Sequence, residues 1–369
     1  MNDSSGAGRS AGPGSGPGGA PTAIALSPIL SARYRSRDLE RIRAAAPGAR
    51  IVSVSVEGLA DGPVDDLEVM LRGWLTSDAF DRLLARAPRL AWVHSATSGV
   101  ERALTPAALE RGLVVTNARG VFSRPIAEYV LMMILAISRR LPQLLELQRE
   151  RTWQPLEGAE LRDVTVGIVG LGSIGQAVAD LALAFGCRVV AVRRRSPEVG
   201  AAAVDRELGS ADEAEPGAER DERSSGEAGL HRIGGPDTLP ELLAESDFIV
   251  LAAPLTAETE DMIDDRTLAM VKPGAWLINV ARGRLIDERA LLRVLRDGPL
   301  GGAVLDTFRD EPLSPMSPFY DLDNVIVTPH TAWSSGRVLD RSVDLFCANL
   351  RRFARGEPLV NVVDPSAGY

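Results

Sequence analysis

Three residues of different chemistry stand just past three apolar runs. Arg282 follows Ala275–Val280, Glu311 follows Gly302–Asp306, and His330 follows Val325–Thr328. Each run reads as a strand, so all three side chains fall beyond carboxyl ends of strands, where open α/β sheets bind ligands. A histidine titrates near neutral pH and can give a proton to an oxygen that is gaining negative charge. A carboxylate beside it holds the imidazole and favours its protonated form. A guanidinium fork binds a carboxylate and polarises a carbonyl. Together the three suit hydride addition to the keto carbon of a small acid.

A hydride needs a carrier, and the chain holds a site for one. Gly170, Gly172 and Gly175 have the G-x-G-x-x-G spacing, after the apolar strand Val164–Val169 and at the start of a helix from Ile174. That context turns a weak pattern into a dinucleotide signal. Gly170 permits the tight turn, Gly172 lets backbone approach a pyrophosphate, and Gly175 lets helix and strand pack closely. The N–H groups around Ser173 and Ile174 then face the anion. The next strand, Arg188–Val192, decides which dinucleotide. NAD enzymes of this fold place an acidic residue about 20 residues after the glycines. Here the chain reads Arg193-Arg194-Arg195-Ser196. Those guanidiniums suit a 2′-phosphate, so NADP(H) is the preferred coenzyme, with NAD(H) possible.

The remaining pattern supplies the elements that carry these residues. Short apolar runs alternate with helical patterns, which predicts an α/β protein with parallel sheets. Strands are expected at Ile51–Val56, Leu90–His94 and Leu113–Thr116, and helices at Asp78–Ala87 and Pro106–Arg111. A long helix is expected from Ser123, with Pro125 in its first turn and a bend or break at Pro142. The strands Val164–Val169, Arg188–Val192, Phe248–Ala252, Ala275–Val280, Gly302–Asp306 and Val325–Thr328 then give a doubly wound, nucleotide-binding order. Residues 1–21 read as a disordered tail and residues 200–229 as a low-complexity surface insertion.

The segments Asn279-Val280-Ala281-Arg282-Gly283, Asp306-Thr307-Phe308 leading to Glu311-Pro312, and Thr328-Pro329-His330 resemble the D-isomer-specific 2-hydroxyacid dehydrogenase family, which includes glyoxylate/hydroxypyruvate reductases. The closing stretch Gly356–Asp364 also looks like this family. The resemblance implies substrate binding by Arg282, a Glu311–His330 pair with His330 as acid/base, and a bond from Asp306 to the nicotinamide carboxamide. It points to the main chain of Ser98 and Gly99 for the substrate carboxylate, in a Ser/Gly loop whose amides suit an anion. The expected coenzyme-binding set also includes Ala253, Pro254, Val280, Ala281, Arg282 and His330. The implied fold has two doubly wound domains. A Rossmann coenzyme domain at 122–332 is inserted in a discontinuous flavodoxin-like substrate domain at 22–121 and 333–369, and hinges near 118–123 and 331–334 let a cleft close. The resemblance also implies a homodimer through the coenzyme domain, and the helix from Ser123 carries Tyr129, Met132, Met133 and Ile137, more apolar surface than one buried face requires.

Composition narrows the alternatives. The chain has 369 residues, is 45% hydrophobic and carries a formal net charge of −9, which argues against general affinity for nucleic acid or anionic membrane. Two cysteines fit a reducing compartment, and no secretory signal or membrane-length apolar run is present, which places the protein in the cytoplasm. No cluster has metal-ligand spacing. His94 reads as a packing or supporting residue and His231 as solvated. Phe308, Trp333 and residues near Leu59 are candidates to line a substrate pocket. Two other readings stay open: an NAD-linked D-2-hydroxyacid dehydrogenase, and a nicotinamide-sensing, corepressor-like regulator, because fold does not fix function. Formate dehydrogenation is disfavoured by Glu311, where the formate enzymes of this superfamily carry Gln.

Overall fold

A computed structural model describes residues 18–29, 34–194 and 230–365. Arg195, Ser196, nearly all of the expected tail and the whole expected insertion lie outside the described residues. The chain divides into two compact units, Met1–Val121 with Gly336–Tyr369, and Phe122–Ser335.

The first unit holds β1 (Ala23–Leu26), β2 (Arg50–Ser53), β3 (Val69–Arg72), β4 (Trp92–Ser95) and β5 (Val114–Thr116), with α1 (Ser36–Ala45), α2 (Ser77–Arg86) and α3 (Pro106–Glu110). All strands are parallel, in the order β2-β1-β3-β4-β5. Both faces of the sheet are covered, so its strands read as continuous apolar runs. On one face Ala25, Met70 and Val93 pack against Phe80 and Leu83 of α2. On the other, Ile24, Leu71 and Trp92 pack against Phe346, Leu350 and Phe353 of the C-terminal helix Val338–Arg355. That helix carries its apolar residues on one stripe and its charges on the other, which returns the end of the chain to this unit. The strands β1 and β3 have no counterpart in the sequence reading. At four residues each they are too short to show a period.

The second unit begins with α4 (Ser123–Ser138) and α5 (Leu141–Arg149). The break falls at Arg140, which is left-handed at φ 58, and Pro142 then lies in the first turn of α5, where its missing N–H costs nothing. The sheet comprises β6 (Thr165–Val169), β7 (Arg188–Val192), β8 (Arg232–Gly234), β9 (Phe248–Leu251), β10 (Trp276–Asn279), β11 (Gly302–Leu305) and β12 (Val325–Val327). Around it lie α6 (Ser173–Ala184), α7 (Leu239–Glu245), α8 (Asp265–Leu268) and α9 (Glu288–Asp297), and α10 is the helix Val338–Arg355. The parallel order β12-β11-β10-β9-β6-β7-β8 reverses direction between β6 and β9, which makes the carboxyl end of that pair the topological switch point. Among the described residues, no helix is long and apolar enough to cross a membrane.

Candidate active site

The glycine turn lies at the switch point. Gly170 directly follows β6 at φ 101, and a Cβ there would come within 2.5 Å of the Ala253 backbone nitrogen beyond β9. Only glycine allows both the backbone angle and the approach. A Cβ on Gly175 would come within 2.1 Å of the Gly170 carbonyl oxygen, so this glycine sets the closeness of α6 to the turn. A Cβ on Gly172 would point into open space, and Gly172 caps α6 without a side chain to bond its first amides. The amides of Ser173, Ile174 and Gly175 therefore have no intrahelical partner and face outward from a bare helix start. This arrangement fits a dinucleotide pyrophosphate. Past β7, the Arg193 N–H donates to the Gly234 carbonyl, and Arg194 Nη1 pairs with Glu258 Oε2 at 2.7 Å. Ala253 and Pro254 open the loop after β9, and the Pro254 carbonyl accepts from Thr259 Oγ1 at 2.7 Å.

Arg282, Glu311 and His330 come from three adjacent strand ends, β10, β11 and β12. Asn279, the last residue of β10, is fully buried and clamps the turn that follows. Its Nδ2 donates to the Arg282 carbonyl at 2.9 Å, and its Oδ1 accepts the Ala281 N–H at 3.1 Å. Arg282 Nη1 in turn donates to the Ala281 carbonyl at 2.8 Å. A Cβ on Gly283 would lie 1.9 Å from the Phe308 carbonyl carbon, so glycine alone lets the β10 turn lie against the loop that carries Glu311. Neither Asn279 nor Gly283 was assigned a role from sequence. The signal available was a side chain with both donor and acceptor at a strand end, followed by a glycine.

Glu311 Oε1 accepts the Phe308 N–H at 3.0 Å, and Oε2 lies 2.8 Å from His330 Nδ1. An ionised carboxylate only accepts, so Nδ1 carries the proton and donates to Glu311. Burial on its own would raise the Glu311 carboxyl. The bonds from His330 and Phe308, with the charges of His330 and Arg282, outweigh it and hold the carboxyl below its ordinary range. The pair is therefore present at neutral pH and is lost only in acid, as Glu311 takes up a proton.

Asp306 directly follows β11. It is 1% exposed. Its Oδ1 accepts from Thr328 Oγ1 at 2.6 Å and from the Thr331 N–H at 2.8 Å, and its Oδ2 accepts from the Ala332 N–H at 2.9 Å. Both oxygens serve the turn that carries His330. Phe308 is likewise turned inward, packed on Phe319 with ring centroids 5.8 Å apart, and Trp333 packs edge-on against Phe122. Leu59 is exposed, in the first unit.

In the first unit, the loop after β4 carries Ser98 and Gly99. Asn117 Nδ2 donates to the Ser98 carbonyl at 3.0 Å, and Thr97 Oγ1 donates to the Gly99 carbonyl at 2.6 Å. His94 is fully buried between Trp92 and Phe346, with Nδ1 2.8 Å from Thr116 Oγ1. Burial drives its pKa down from 6.5 to about 3, so it is a neutral structural residue. His231 Nδ1 accepts the Val189 N–H at 3.2 Å beside β7.

A doubly wound parallel sheet, with a bare helix start at its switch point and a charged triad at three adjacent strand ends, defines a dinucleotide-dependent oxidoreductase. Comparison with known proteins narrows the class. Residues 131–215 and 219–332 match the family model for the D-isomer specific 2-hydroxyacid dehydrogenase, NAD binding domain. A glyoxylate reductase of Thermococcus gammatolerans is 35% identical over 304 residues, covering 80% of this chain and 81% of that protein. A D-3-phosphoglycerate dehydrogenase of Mycobacterium tuberculosis is 35% identical over 302 residues, covering 81% of this chain but 51% of the relative. The crystal structure of a D-isomer specific 2-hydroxyacid dehydrogenase from Xanthobacter autotrophicus Py2, in complex with NADPH and MES, superposes with a TM-score of 0.76 at 28% identity, covering 96% of this chain and 100% of that one. The chain belongs to the D-isomer specific 2-hydroxyacid dehydrogenase family and is an NAD(P)-dependent enzyme of it.

Proposed function

We propose that the enzyme reduces a small 2-keto acid of the glyoxylate or hydroxypyruvate type to the D-2-hydroxy acid, with NADPH as the preferred coenzyme. The observation that carries this reading is the His330–Glu311 pair, with the Nδ1 proton committed to the carboxylate. Nε2 is then the ring atom that holds and gives a proton. The coenzyme, when bound, supplies the hydride to the keto carbon. Arg282 binds the substrate carboxylate and draws electron density from the carbonyl oxygen, and His330 Nε2 protonates that oxygen as it becomes a hydroxyl. Glu311 holds the ring and offsets the positive charge of the imidazolium beforehand. With their carbonyls tied back by Asn117 and Thr97, Ser98 and Gly99 leave their amides to suit a carboxylate. The amides of Ser173 and Ile174, with the turn of Gly170, Gly172 and Gly175, bind the pyrophosphate, and Arg193 and Arg194 bind the 2′-phosphate. Support for NADPH comes from those arginines and from the NADPH-bound structural neighbour.

The equal identity of the D-3-phosphoglycerate dehydrogenase favours a second reading, NAD-linked oxidation of a D-2-hydroxy acid. Absorbance assays with both reduced and both oxidised coenzymes, against a panel of 2-keto and D-2-hydroxy acids, separate the two. Turnover of glyoxylate or hydroxypyruvate with NADPH at least about tenfold above NADH in kcat/KM is expected, a preference worth about 1.4 kcal/mol. Faster NADH-linked turnover, or activity confined to a D-2-hydroxy acid with NAD, sinks the first reading.

We also propose a homodimer formed through the coenzyme unit. The apolar surplus lies further along the chain than the sequence placed it. Met133 is buried and Tyr129 is turned to Thr328, whereas Met132 is exposed. α5 buries none of its residues, and Leu141, Leu144, Leu145 and then Trp153 are exposed. Two buried free cysteines suit a reducing compartment, and we place the enzyme in the cytoplasm.

A further inference from the structure

His330 stands in a left-handed backbone conformation at φ 49, which disfavours any residue with a Cβ. The turn holding it is wound on Asp306. The His330 N–H donates to the Asp306 carbonyl at 2.8 Å, and the Thr331 and Ala332 amides donate to the Asp306 carboxylate. The carboxylate has one further donor, Thr328 Oγ1 at 2.6 Å. The Thr328 hydroxyl has a second neighbour, the hydroxyl of Tyr129 on α4 at 2.7 Å. The direction of the chain follows from the inventory of protons. A carboxylate only accepts, so Thr328 gives its single proton to Asp306, and Tyr129 must donate to Thr328. Burial first, and the charge of Asp306 as well, push the Tyr129 phenol up to about 12 against the opposing bond to Thr328, so it keeps that proton in the neutral range.

We propose that Tyr129 is a positioning residue for His330: its hydroxyl fixes the Thr328 hydroxyl, and through it the Asp306 carboxylate on which the His330 turn is wound. Asp306 is sealed from solvent, so water does not readily replace a lost donor. The relay links α4, which carries none of the residues assigned to chemistry, to the ring that gives the proton. Its catalytic consequence rests on the reading of His330 as proton donor, whereas its positional content stands on the geometry alone.

Tyr129→Phe removes one hydroxyl and keeps the ring. Thr328→Val removes the next link, and Thr328→Ser keeps it. For Tyr129→Phe we expect kcat for keto-acid reduction to fall about threefold to tenfold, with coenzyme KM unchanged and the melting temperature lowered by only a few degrees. Thr328→Val should act alike, Thr328→Ser should restore most of the rate, and the Tyr129→Phe/Thr328→Val double variant should be no slower than Thr328→Val alone. The chain has three histidines, so their imidazole 15N resonances are separately assignable. Tyr129→Phe should move those of His330 and leave those of His94 in place. Unmoved His330 resonances together with an unchanged kcat overturn the proposal. If His330→Gln keeps full turnover, the catalytic reading fails, yet the resonance shift in Tyr129→Phe still tests the positioning. If His330→Gln is inactive while Tyr129→Phe matches the parent in both measurements, the positioning proposal fails alone.

Discussion

At the scale of single residues, each functional side chain is held by a neighbour whose own chemistry leaves it few alternatives. Glu311 bonds Phe308 N–H with one oxygen and His330 with the other, and Asn279 uses both ends of its amide on the Arg282 turn. His94 shows the cost side of such placement. Its unfolded pKa is near 6.5 and its folded value about 3. Between those values the unfolded chain takes up a proton that the folded chain refuses. The stability belonging to the neutral ring is thus complete above about pH 6.5 and drains away as pH falls towards 3. We expect the unfolding free energy of the first unit to lose up to about 1.4 kcal/mol per pH unit from this residue below pH 6. A His94→Asn variant should show a correspondingly flatter dependence in urea titrations between pH 7 and 5. Equal slopes for the two proteins remove His94 as the cause. The types and order of Arg282, Glu311 and His330 were legible in the sequence because their chemistry is specific. The commitment of Asp306 to the His330 turn was not, since it depends on β12 folding its exit back over the end of β11, which local sequence does not encode.

Elements were legible where they were long or carried a cap. α2, expected at Asp78–Ala87, spans Ser77–Arg86 behind Thr76, whose hydroxyl accepts from the Ala79 amide. The break before α5 followed from Pro142. What the pattern could not show was which helix is left uncovered. The residue types on α4 suggested that helix, but a sequence does not reveal that Tyr129 has a hydroxyl partner on another element. α5 and Trp153 instead present the apolar surface. Light scattering at micromolar concentration should therefore give the mass of a dimer, and Trp153→Asp with Leu145→Asp should shift it towards the monomer. A monomeric mass for the parent protein rejects this use of α5.

For the molecule as a whole, two parallel sheets were expected and two are present, and the chain belongs to the family that its motifs resemble. The second sheet was the more legible because the glycine turn fixes its first strand and the switch point follows from order. The first sheet was harder, since β1 and β3 are short, buried on both faces and without alternation. On the proposed reading, the second unit's strand ends form a proton-transfer site served by His330. It is tested most directly by comparing the parent enzyme with His330→Gln in NADPH-linked reduction of glyoxylate, alongside coenzyme binding followed by nicotinamide fluorescence. A loss of kcat by roughly a hundredfold or more, with coenzyme binding intact, is expected if His330 gives the proton. Turnover within a few fold of the parent, at the same coenzyme affinity, would contradict it.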